Sequence, residues 1–509
     1  MDLKKITIAL LALGIFACTN LEEELREDLT GDQARELLLA SADVSSLLEA
    51  AYNGLQAPFQ DQAQFWAAQE HTSDEVIGPT RGPDWDDNGV WRVLHNHTWD
   101  ADHAFLGDTF NNLLGIVFNT TNILNFNPSP SQAAEARFLR AFAMFAVLDG
   151  WNQVPFRDPG EDLLQAPRVL TGAEAAEFIA SELNAILPDL PDGPATRANK
   201  DAARVLLMKA FLNKGTFADR ANPKFEQADM NQVISLADAI IGTGNYSLEA
   251  NFFDNFNPTN GQNSSELIFV DENKAGIAGG SGNNIRSRWF CGLHYNQNPS
   301  GWNGFTTIAD FYDKFDAADP RIGGEYAGMT DVSGLRTGFL IGQQFDAAGN
   351  ALEDRKGNPL AFTREVKIIE TGNNLEITGI RVNKYPIDYD NGDNVDNDAV
   401  IYRYSDVLLM KAEALLRNGD EPAARAIVND LRSVRGVPAL GTLTLDNLLD
   451  ERGFELYWES HRRQDLIRFG KFLDAWNEKP ASGPERLIFP IPNQALAVNP
   501  NLEQNPGYN

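Results

Sequence analysis

The sequence predicts a mostly α-helical protein in which paired helices recur and one long stretch of loops interrupts them. The stretch from Tyr402 to Gly419 reads as one amphipathic helix, and a second helix follows from Glu421 to Val434. Two helices joined by a tight turn form the unit of a tetratricopeptide-like array. Residues 205–210 and 407–412 both read VLLMKA, which indicates that this unit is repeated. Residues 245–400 are rich in Gly, Asn and Asp, so long loops with a few short strands are expected there.

The helix at 402–419 has recognisable ends and one apolar face. Ser405 is suited to cap its N-terminus, because a serine hydroxyl accepts a hydrogen bond from the free N–H groups of the first turn. Leu408, Ala412 and Leu415 follow at intervals of four and three residues and form the apolar face. Gly419 ends the helix, because glycine readily adopts the left-handed conformation of a helix C-terminus.

Helical patterns of the same kind recur along most of the chain. Residues 91–99 are predicted to be extended or irregular, and a charged helical pattern resumes at residue 445. The predicted helical hairpins lie near residues 31–126, 135–187, 200–241 and 402–434. The sequence thus predicts about four tetratricopeptide-like hairpins and a loop-rich side at 245–400, and loops of that length within a compact body are usually functional.

Composition excludes one class of partner. The 509 residues include 72 acidic and 42 basic ones, for a formal net charge of -30. This charge opposes binding to a phosphate backbone, so nucleic acid is not expected as a partner. The sequence also lacks a phosphate-binding loop, a dinucleotide fingerprint and a nucleophile elbow, so no cofactor is expected.

The N-terminus has the features of an export signal. Lys4 and Lys5 precede an apolar run of 11 residues, Ile6 to Phe16, which is too short to span a bilayer as a helix. Residues 15–18, Ile-Phe-Ala-Cys, resemble a bacterial lipobox, in which the cysteine is acylated and becomes the first residue of the mature protein. Residues 1–17 are therefore predicted to be a lipoprotein signal peptide and Cys18 the lipidation site. An ordinary signal peptide with an incidental cysteine is the alternative.

A short acidic tether is predicted between the lipidated cysteine and the folded body. Residues 18–29 contain Glu22, Glu23 and Glu24 in succession. This run resembles the surface-export signal of lipoproteins in Bacteroidetes-like bacteria, whereas a plain solvated tether is the alternative. Residues 30–509 are predicted to form a single body.

Four segments of the chain resemble the SusD/RagB family of surface nutrient-binding lipoproteins. They occur in the order and at the spacing of that family, and with the lipobox they extend over nearly the whole mature chain. The segments are Glu135 to Phe156, Tyr402 to Gly419, Glu451 to Gly470, and Pro490 to Tyr508, which ends in QNPGY.

The resemblance implies a fold, a role and a location. One side of a mostly α-helical body carries four tetratricopeptide-like hairpins, and the loop-rich side carries the ligand site. The implied role is to capture a nutrient, usually an oligosaccharide, and to deliver it as a lid on a TonB-dependent transporter of the SusC type. The implied location is the outer membrane, with a lipid anchor and exposure at the cell surface. No catalytic activity is known for the family.

Aromatic residues in the loops are the candidates for ligand contact. Sugar rings present C–H faces that pack on flat aromatic rings, and their hydroxyl groups need acids, amides or arginines nearby. Trp85 is flanked by three aspartates in a loop of Gly and Pro, and a second aromatic cluster occupies residues 288–302. Ordinary packing beneath the loops is the alternative. The candidate ligand-binding residues are Trp85, Trp289, Cys291, Tyr295, Trp302 and Tyr389.

Two metal-binding patterns are present but incomplete. His95, His97 and His103 lack an obvious fourth zinc ligand. Residues 388–398 contain five aspartates, but their glycine falls one place early for an EF-hand and position 12 is not glutamate. No metal ion is therefore expected.

The sequence leaves three functional alternatives to glycan binding. The same fold binding a peptide would fit a cleft with charged rather than aromatic walls. A glycoside hydrolase would need two carboxylates on opposite sides of the bond, whereas Glu455 and Glu459 are expected one helical turn apart on a single helix. A pure protein scaffold is the third alternative.

Overall fold

The computed structural model describes residues 42–274 and 284–508. The predicted signal peptide, Cys18, the acidic tether and the start of the first hairpin lie outside these residues. Within them, no helix combines the length and the apolar character that crossing a membrane requires.

Helices dominate the described residues, and the strands are short. The α-helices are α1 Val44–Asn53, α2 Gln56–Gln60, α3 Phe65–Glu70, α4 Val90–His95, α5 Ala104–Ile123, α6 Pro130–Trp151, α7 Gly172–Ile186, α8 Lys200–Ala218, α9 Gln227–Ile241, α10 Asn260–Asn263, α11 Ser287–Phe290, α12 Ala309–Tyr312, α13 Thr330–Ser333, α14 Tyr404–Arg417, α15 Glu421–Val434, α16 Leu445–Leu456, α17 Arg462–Arg468 and α18 Asn493–Val498. The strands are β1 Thr80–Arg81, β2 Gln153–Phe156, β3 Arg168–Thr171, β4 Leu267–Asp271, β5 Gly338–Leu340, β6 Gly342–Gln343, β7 Ala361–Phe362, β8 Ile369–Glu370, β9 Arg381–Asn383 and β10 Ala399–Arg403. The predicted fold class, mostly α with a few short strands, is confirmed.

The long helices form an array in which each packs against its neighbour in sequence. Helix α5 packs on α6, α6 on α7, α7 on α8 and α8 on α9. Helix α9 then packs on α14, which pairs with α15, although residues 242–403 separate α9 from α14 in the chain. The loop-rich region is therefore an excursion from one continuous array.

A two-stranded antiparallel ladder closes the base of this excursion. Strand β4 pairs with β10, with Asp271 opposite Ala399 and Leu267 opposite Arg403. Strand β10 runs directly into α14. The ladder thus ties both ends of the loop-rich region to the helical array. The other two-stranded sheets are β1–β8, β2–β3, β5–β9 and β6–β7.

Several local predictions are wrong in detail. Helix α14 begins at Tyr404, so Ser405 lies inside the helix and does not cap it. The Ser405 hydroxyl accepts a hydrogen bond from the guanidinium group of Arg403 instead. Residues 90–95 form helix α4 rather than an extended segment. Gly419 does adopt the left-handed conformation, with φ of 87°.

A buried ion pair joins the first copy of the VLLMKA repeat to Asp406, the residue just before the second copy. Lys209 of α8 lies 2.9 Å from Asp406 of α14, and Arg452 of α16 lies 3.0 Å from the same carboxylate. Burial opposes the ionisation of Asp406, but the two cations outweigh it and hold its pKa well below the ordinary value. The aspartate in the first turn of α14 therefore joins three helices.

A cluster of buried charges links the ladder to the C-terminal helices. Arg403 of β10 lies 3.1 Å from Glu266, 2.7 Å from Glu455 and 2.8 Å from Glu459. Arg435 adds contacts of 2.8 Å to Glu266 and 2.5 Å to Glu455. Buried carboxylates need such partners, because an unpaired charge in the interior is costly. These residues bind the loop-rich side to the array.

Glu455 and Glu459 are not on consecutive turns of one helix. Helix α16 ends at Leu456, and α17 begins only at Arg462. Between them Trp458 and Ser460 have positive φ angles of 61° and 66°. Both carboxylates point at Arg403 in the interior, which leaves neither one available for glycoside hydrolysis.

The C-terminal residues pack against the first helices of the array. The Tyr508 hydroxyl accepts a hydrogen bond of 2.8 Å from Trp99 Nε1 and donates one of 2.8 Å to the carbonyl of Ile488. The Asn505 amide donates to the carbonyls of Trp151 and Phe489 at 2.8 Å and 2.7 Å. The QNPGY ending is therefore anchored to the body through Asn505 and Tyr508.

A buried pair of carboxyl groups makes stability depend on pH. Burial raises the pKa of Glu70 from 4.5 to about 7 and raises that of the neighbouring Glu75. The folded state keeps the Glu70 proton up to about pH 7, whereas the unfolded chain loses it near 4.5. The free energy of unfolding therefore falls as the pH rises through this window.

Glu70→Gln keeps this position neutral at every pH. Relative to the wild type, we expect the variant to gain about 2–3 kcal/mol of stability between pH 4 and pH 8. Urea unfolding at the two pH values measures this gain, with the exposed Glu365→Gln as control. An equal effect of Glu70→Gln at both pH values would contradict the prediction.

Candidate functional site

Three aromatic side chains form a surface on the loop-rich side, which we call the aromatic platform: Trp85, Phe290 and Trp302. Trp302 is 41% exposed, and Trp85 and Phe290 are half-buried. The Trp85 and Trp302 rings lie 6.5 Å apart at 41°, and the Trp302 and Phe290 rings stack at 5.6 Å and 22°. Neighbouring rings at the surface form an apolar patch, and such patches rimmed by polar residues mark ligand-binding sites.

The Trp85 ring is held in place by its backbone and by the loop opposite. Its Nε1 donates a hydrogen bond of 2.9 Å to the Trp302 carbonyl, and its ring packs on Phe305 at 4.8 Å. Trp85 has φ of 59°, a conformation that costs free energy for a bulky residue. Gly304 admits the ring, because a Cβ there would lie 2.3 Å from Trp85 Cε2. Such strain is typical of functional positions.

Backbone hydrogen bonds position Trp302 against the short helix α11. The Trp302 N–H donates to the Phe290 carbonyl at 2.6 Å. The N–H groups of Gly304 and Phe305 both donate to the Cys291 carbonyl, at 2.8 Å and 2.7 Å. The platform is therefore supported from below by main-chain contacts.

A polar rim lies beside the platform. The Tyr295 hydroxyl donates to Asp84 Oδ2 at 3.1 Å, and the Arg355 guanidinium lies 3.8 Å from the Tyr295 ring centre. Arg355 and His294 also bind Glu376, at 2.7 Å and 2.9 Å. Burial opposes ionisation of Glu376, but these hydrogen bonds outweigh it and hold its pKa below the ordinary value. The rim thus offers an ionised acid, a hydroxyl and a guanidinium next to the aromatic rings.

The predicted site residues divide into those that lie at or near the surface and those that are buried beneath it. Trp85, Tyr295 and Trp302 lie together at the surface, although they come from segments more than 200 residues apart. Tyr389 is half-buried and donates to the Asn298 carbonyl at 2.6 Å, so it braces the loop that carries Tyr295.

Trp289 and Cys291 do not lie at the surface. Trp289 is 2% exposed and Cys291 is fully buried, so both pack beneath the platform in the structure. Burial raises the pKa of the Cys291 thiol to about 12, which leaves it un-ionised at physiological pH. The residue that reaches the surface from this helix is Phe290, one position along.

Sequence reasoning missed part of the site. Phe290, Arg355 and Glu376 were not predicted. Arg355 and Glu376 lie 21 residues apart in the chain and more than 50 residues beyond the aromatic cluster at 288–302. No local sequence pattern connects these two charges with that cluster. Phe290 lies between two predicted residues, Trp289 and Cys291, so the sequence pointed to its position. The sequence alone does not show which of these three side chains faces outward.

The two metal-binding patterns are occupied by protein partners. Both ring nitrogens of His95 contact carbonyl oxygens, those of His97 contact Ser482 and the Thr72 carbonyl, and His103 binds Leu106 N and the Val90 carbonyl. The Asp388 carboxylate accepts hydrogen bonds from its own loop. In residues 42–274 and 284–508 no three His, Cys, Asp or Glu side chains are placed to hold a metal ion.

Sequence comparison finds relatives over most of the chain. The model of the SusD family matches residues 238–485. The starch-binding protein SusD of Bacteroides thetaiotaomicron is 27% identical over 415 residues, which cover 74% of this chain and 73% of that protein. SusD-like protein P38 of Formosa agariphila is 23% identical over 530 residues and covers 98% of both chains.

Solved structures share the fold over nearly the full length. Surface glycan-binding protein A of Bacteroides thetaiotaomicron, solved with laminarihexaose, has a TM-score of 0.68 at 19% identity and covers 91% of this chain and 98% of its own. A SusD superfamily protein of Parabacteroides distasonis has a TM-score of 0.71 at 17% identity and covers 94% of this chain and 100% of its own.

Proposed function

Because the chain belongs to the SusD/RagB family, we propose that it binds a glycan on the aromatic platform and presents it for uptake at the cell surface. The family consists of non-catalytic binding proteins, which agrees with the prediction that the chain is not an enzyme. One relative is named for starch binding, and a structural neighbour was solved with laminarihexaose.

The exposed Trp302 ring beside Trp85 is the observation that supports this proposal most directly. A sugar ring packs its C–H face on such rings, and the adjacent Asp84, Tyr295 and Arg355 supply hydrogen bonds for its hydroxyl groups. A peptide site is the alternative. It is less favoured, because aromatic rings rather than charged side chains form the surface of the site.

Glycan titration tests the proposal. The purified protein is titrated by calorimetry with oligosaccharides of starch, laminarin, xylan and mannan, and we expect at least one to bind. Trp302→Ala should weaken that binding about tenfold to a hundredfold, which corresponds to about 1.4–2.8 kcal/mol.

Phe345→Ala serves as the matched control, because Phe345 is 46% exposed and lies outside the platform. Its binding constant should equal that of the wild type. Binding that persists when Trp85 and Trp302 are both replaced by alanine would overturn the proposal, as would the absence of binding to every glycan.

The proposed partner is a TonB-dependent transporter of the SusC type, with the protein as its lid. Support comes from family membership alone. Affinity purification of the tagged protein from its own outer membrane, with detergent, is expected to retain such a transporter. Recovery of no transporter under conditions that keep other outer-membrane complexes intact would contradict this role.

The proposed anchor is an acylated Cys18, which lies outside the described residues. We expect Cys18→Ser to abolish incorporation of labelled palmitate and to release the protein from the outer-membrane fraction, since acyl chains supply the membrane affinity. Cys291→Ser is the control, because that thiol is buried in the body. Labelling that persists in Cys18→Ser would refute the anchor.

A further inference from the structure

A second concave site, which we call the inner pocket, lies between helices α2, α3, α6 and α8, strand β10 and residues 459–464. Its cavity volume is ≈ 80 Å³, and it shares no residue with the aromatic platform. Half-buried residues, among them Phe59, Phe65 and Ile401, line it together with buried residues, which we call its floor. The inner pocket is therefore lined partly by surface residues and partly by residues of the interior.

The walls of the inner pocket are apolar and aromatic. Phe59, Phe65, Phe142 and Phe145 surround it together with Tyr402. Phe59 packs on Phe65 at 5.1 Å and on Phe142 at 4.8 Å, so the rings form a continuous surface. Such walls accept the C–H faces of a ring-shaped ligand.

One buried acceptor on the floor lacks a partner. Gln69 is 1% exposed, and its amide nitrogen donates to Asp149 at 2.8 Å. Its Oε1 has no hydrogen-bond partner among the described residues. A buried amide oxygen left in this way costs about 1–3 kcal/mol, so a ligand that donates to it is favoured.

The floor of the inner pocket also contains a hydrogen-bond donor, the ammonium group of Lys209. The Lys209 ammonium contacts Asp406 at 2.9 Å and His461 Nδ1 at 3.3 Å, two partners for three N–H groups. Burial and the neighbouring Lys209 lower the pKa of His461 to about 4, so the imidazole is neutral at physiological pH.

The charges that line the inner pocket cancel within the protein. Lys209 is paired with Asp406, Asp149 lies 3.4 Å from Arg463, and Glu459 is bound by Arg403 and Lys384. A charged ligand would therefore enter without a counter-ion, at a cost in desolvation. A neutral ligand with hydroxyl groups fits both the unpaired acceptor and the donor.

We infer that the inner pocket is a second ligand site, which binds one neutral monosaccharide with its ring between the phenylalanines and its hydroxyls on Gln69 and Lys209. The inner pocket has room for roughly six water molecules, which is the size of one sugar ring and not of a chain. This site goes beyond the proposed function, because an extended glycan on the platform does not use it.

The test uses protein in which the platform is disabled by Trp85→Ala and Trp302→Ala. D-glucose, D-galactose and D-mannose are the probes, with D-glucuronate as the charged comparison, and binding is followed by saturation-transfer NMR. We expect at least one neutral hexose to bind and glucuronate to bind at least tenfold more weakly.

Two further substitutions locate the binding. Ala146 lines the inner pocket and is 3% exposed, so Ala146→Leu fills the space, and Gln69→Met removes the acceptor. Each should weaken hexose binding at least tenfold, while Ala239→Leu on the exposed face of α9 leaves it unchanged. A protein that carries Ala146→Leu but keeps Trp85 and Trp302 should still bind glycan on the platform. Loss of hexose binding to the inner pocket is thereby distinguished from loss of glycan binding to the platform.

A crystal soaked with the bound hexose gives a readout that does not depend on any variant. Density for a sugar ring in contact with Gln69 would support the inference. The inference is overturned if no hexose binds, if the soaked pocket holds only water, or if Ala146→Leu binds as well as the wild type.

Discussion

Arg403→Met is expected to destabilise the protein by about 3–5 kcal/mol, the largest effect on stability among the changes proposed here. Arg403 is 1% exposed and contacts Glu266, Glu455 and Glu459. Methionine fills similar space but leaves three buried carboxylates with fewer partners. Since these contacts tie β10 to the C-terminal helices, urea unfolding should show a lower midpoint for the whole body.

A surface ion pair provides the matched control. Arg425 binds Glu421 one helical turn away at 2.9 Å, and its side chain is 34% exposed. Arg425→Met should cost no more than about 0.5 kcal/mol, because water screens such pairs. If the two substitutions had equal effects, the buried cluster would not have the stabilising role assigned to it.

Gly304→Ala is expected to reduce glycan binding by about tenfold or more, or about 1.4 kcal/mol, although residue 304 offers no side chain to the ligand. The added Cβ would lie 2.3 Å from the Trp85 ring and displace it. The backbone has little freedom to retreat, because Arg381 donates to the Gly304 carbonyl at 3.0 Å and the Gly304 N–H donates to Cys291 at 2.8 Å. Calorimetry with the glycan that binds the wild type measures the loss.

Gly107→Ala is the control for Gly304→Ala. It shows whether replacing any glycine by alanine lowers glycan binding. Gly107 lies within α5, and a Cβ there meets nothing within 4 Å. Alanine is the better helix former by about 1 kcal/mol, so this variant should be slightly more stable and bind glycan normally. Normal binding by Gly304→Ala would show that the position of Trp85 does not govern the site.

The helical array was predictable because its signals are local. Helices α8, α9, α14 and α15 follow from apolar spacing and from Gly and Pro at their ends, and α8 packs on α9 and α14 on α15. The buried charges were not predictable in the same way. Arg403 meets partners at residues 266, 455 and 459, and only the folded chain brings these distant charges together.

The candidate site likewise combines residues that the sequence predicts with residues that only the fold brings together. Trp85, Tyr295 and Trp302 stand out in the sequence, because aromatic residues are conspicuous in loops of Gly, Asp and Asn, and all three lie at the surface. Trp289 was indistinguishable from Phe290 in sequence, and the turn of α11 decides which of them faces outward. Arg355 and Glu376 are ordinary loop charges until the fold brings them beside Tyr295.

The hydrogen bond between Trp99 and Tyr508 has a consequence for synthesis. It joins residues 409 positions apart, and the bond from Trp66 to Trp458 spans 392. The packing around Trp66 and Trp99 is therefore complete only after residues 458 and 508 have been synthesised. Contacts of such long range form slowly, which keeps the emerging chain unfolded for longer. A polypeptide that must be threaded through a translocation channel before it folds benefits from that delay.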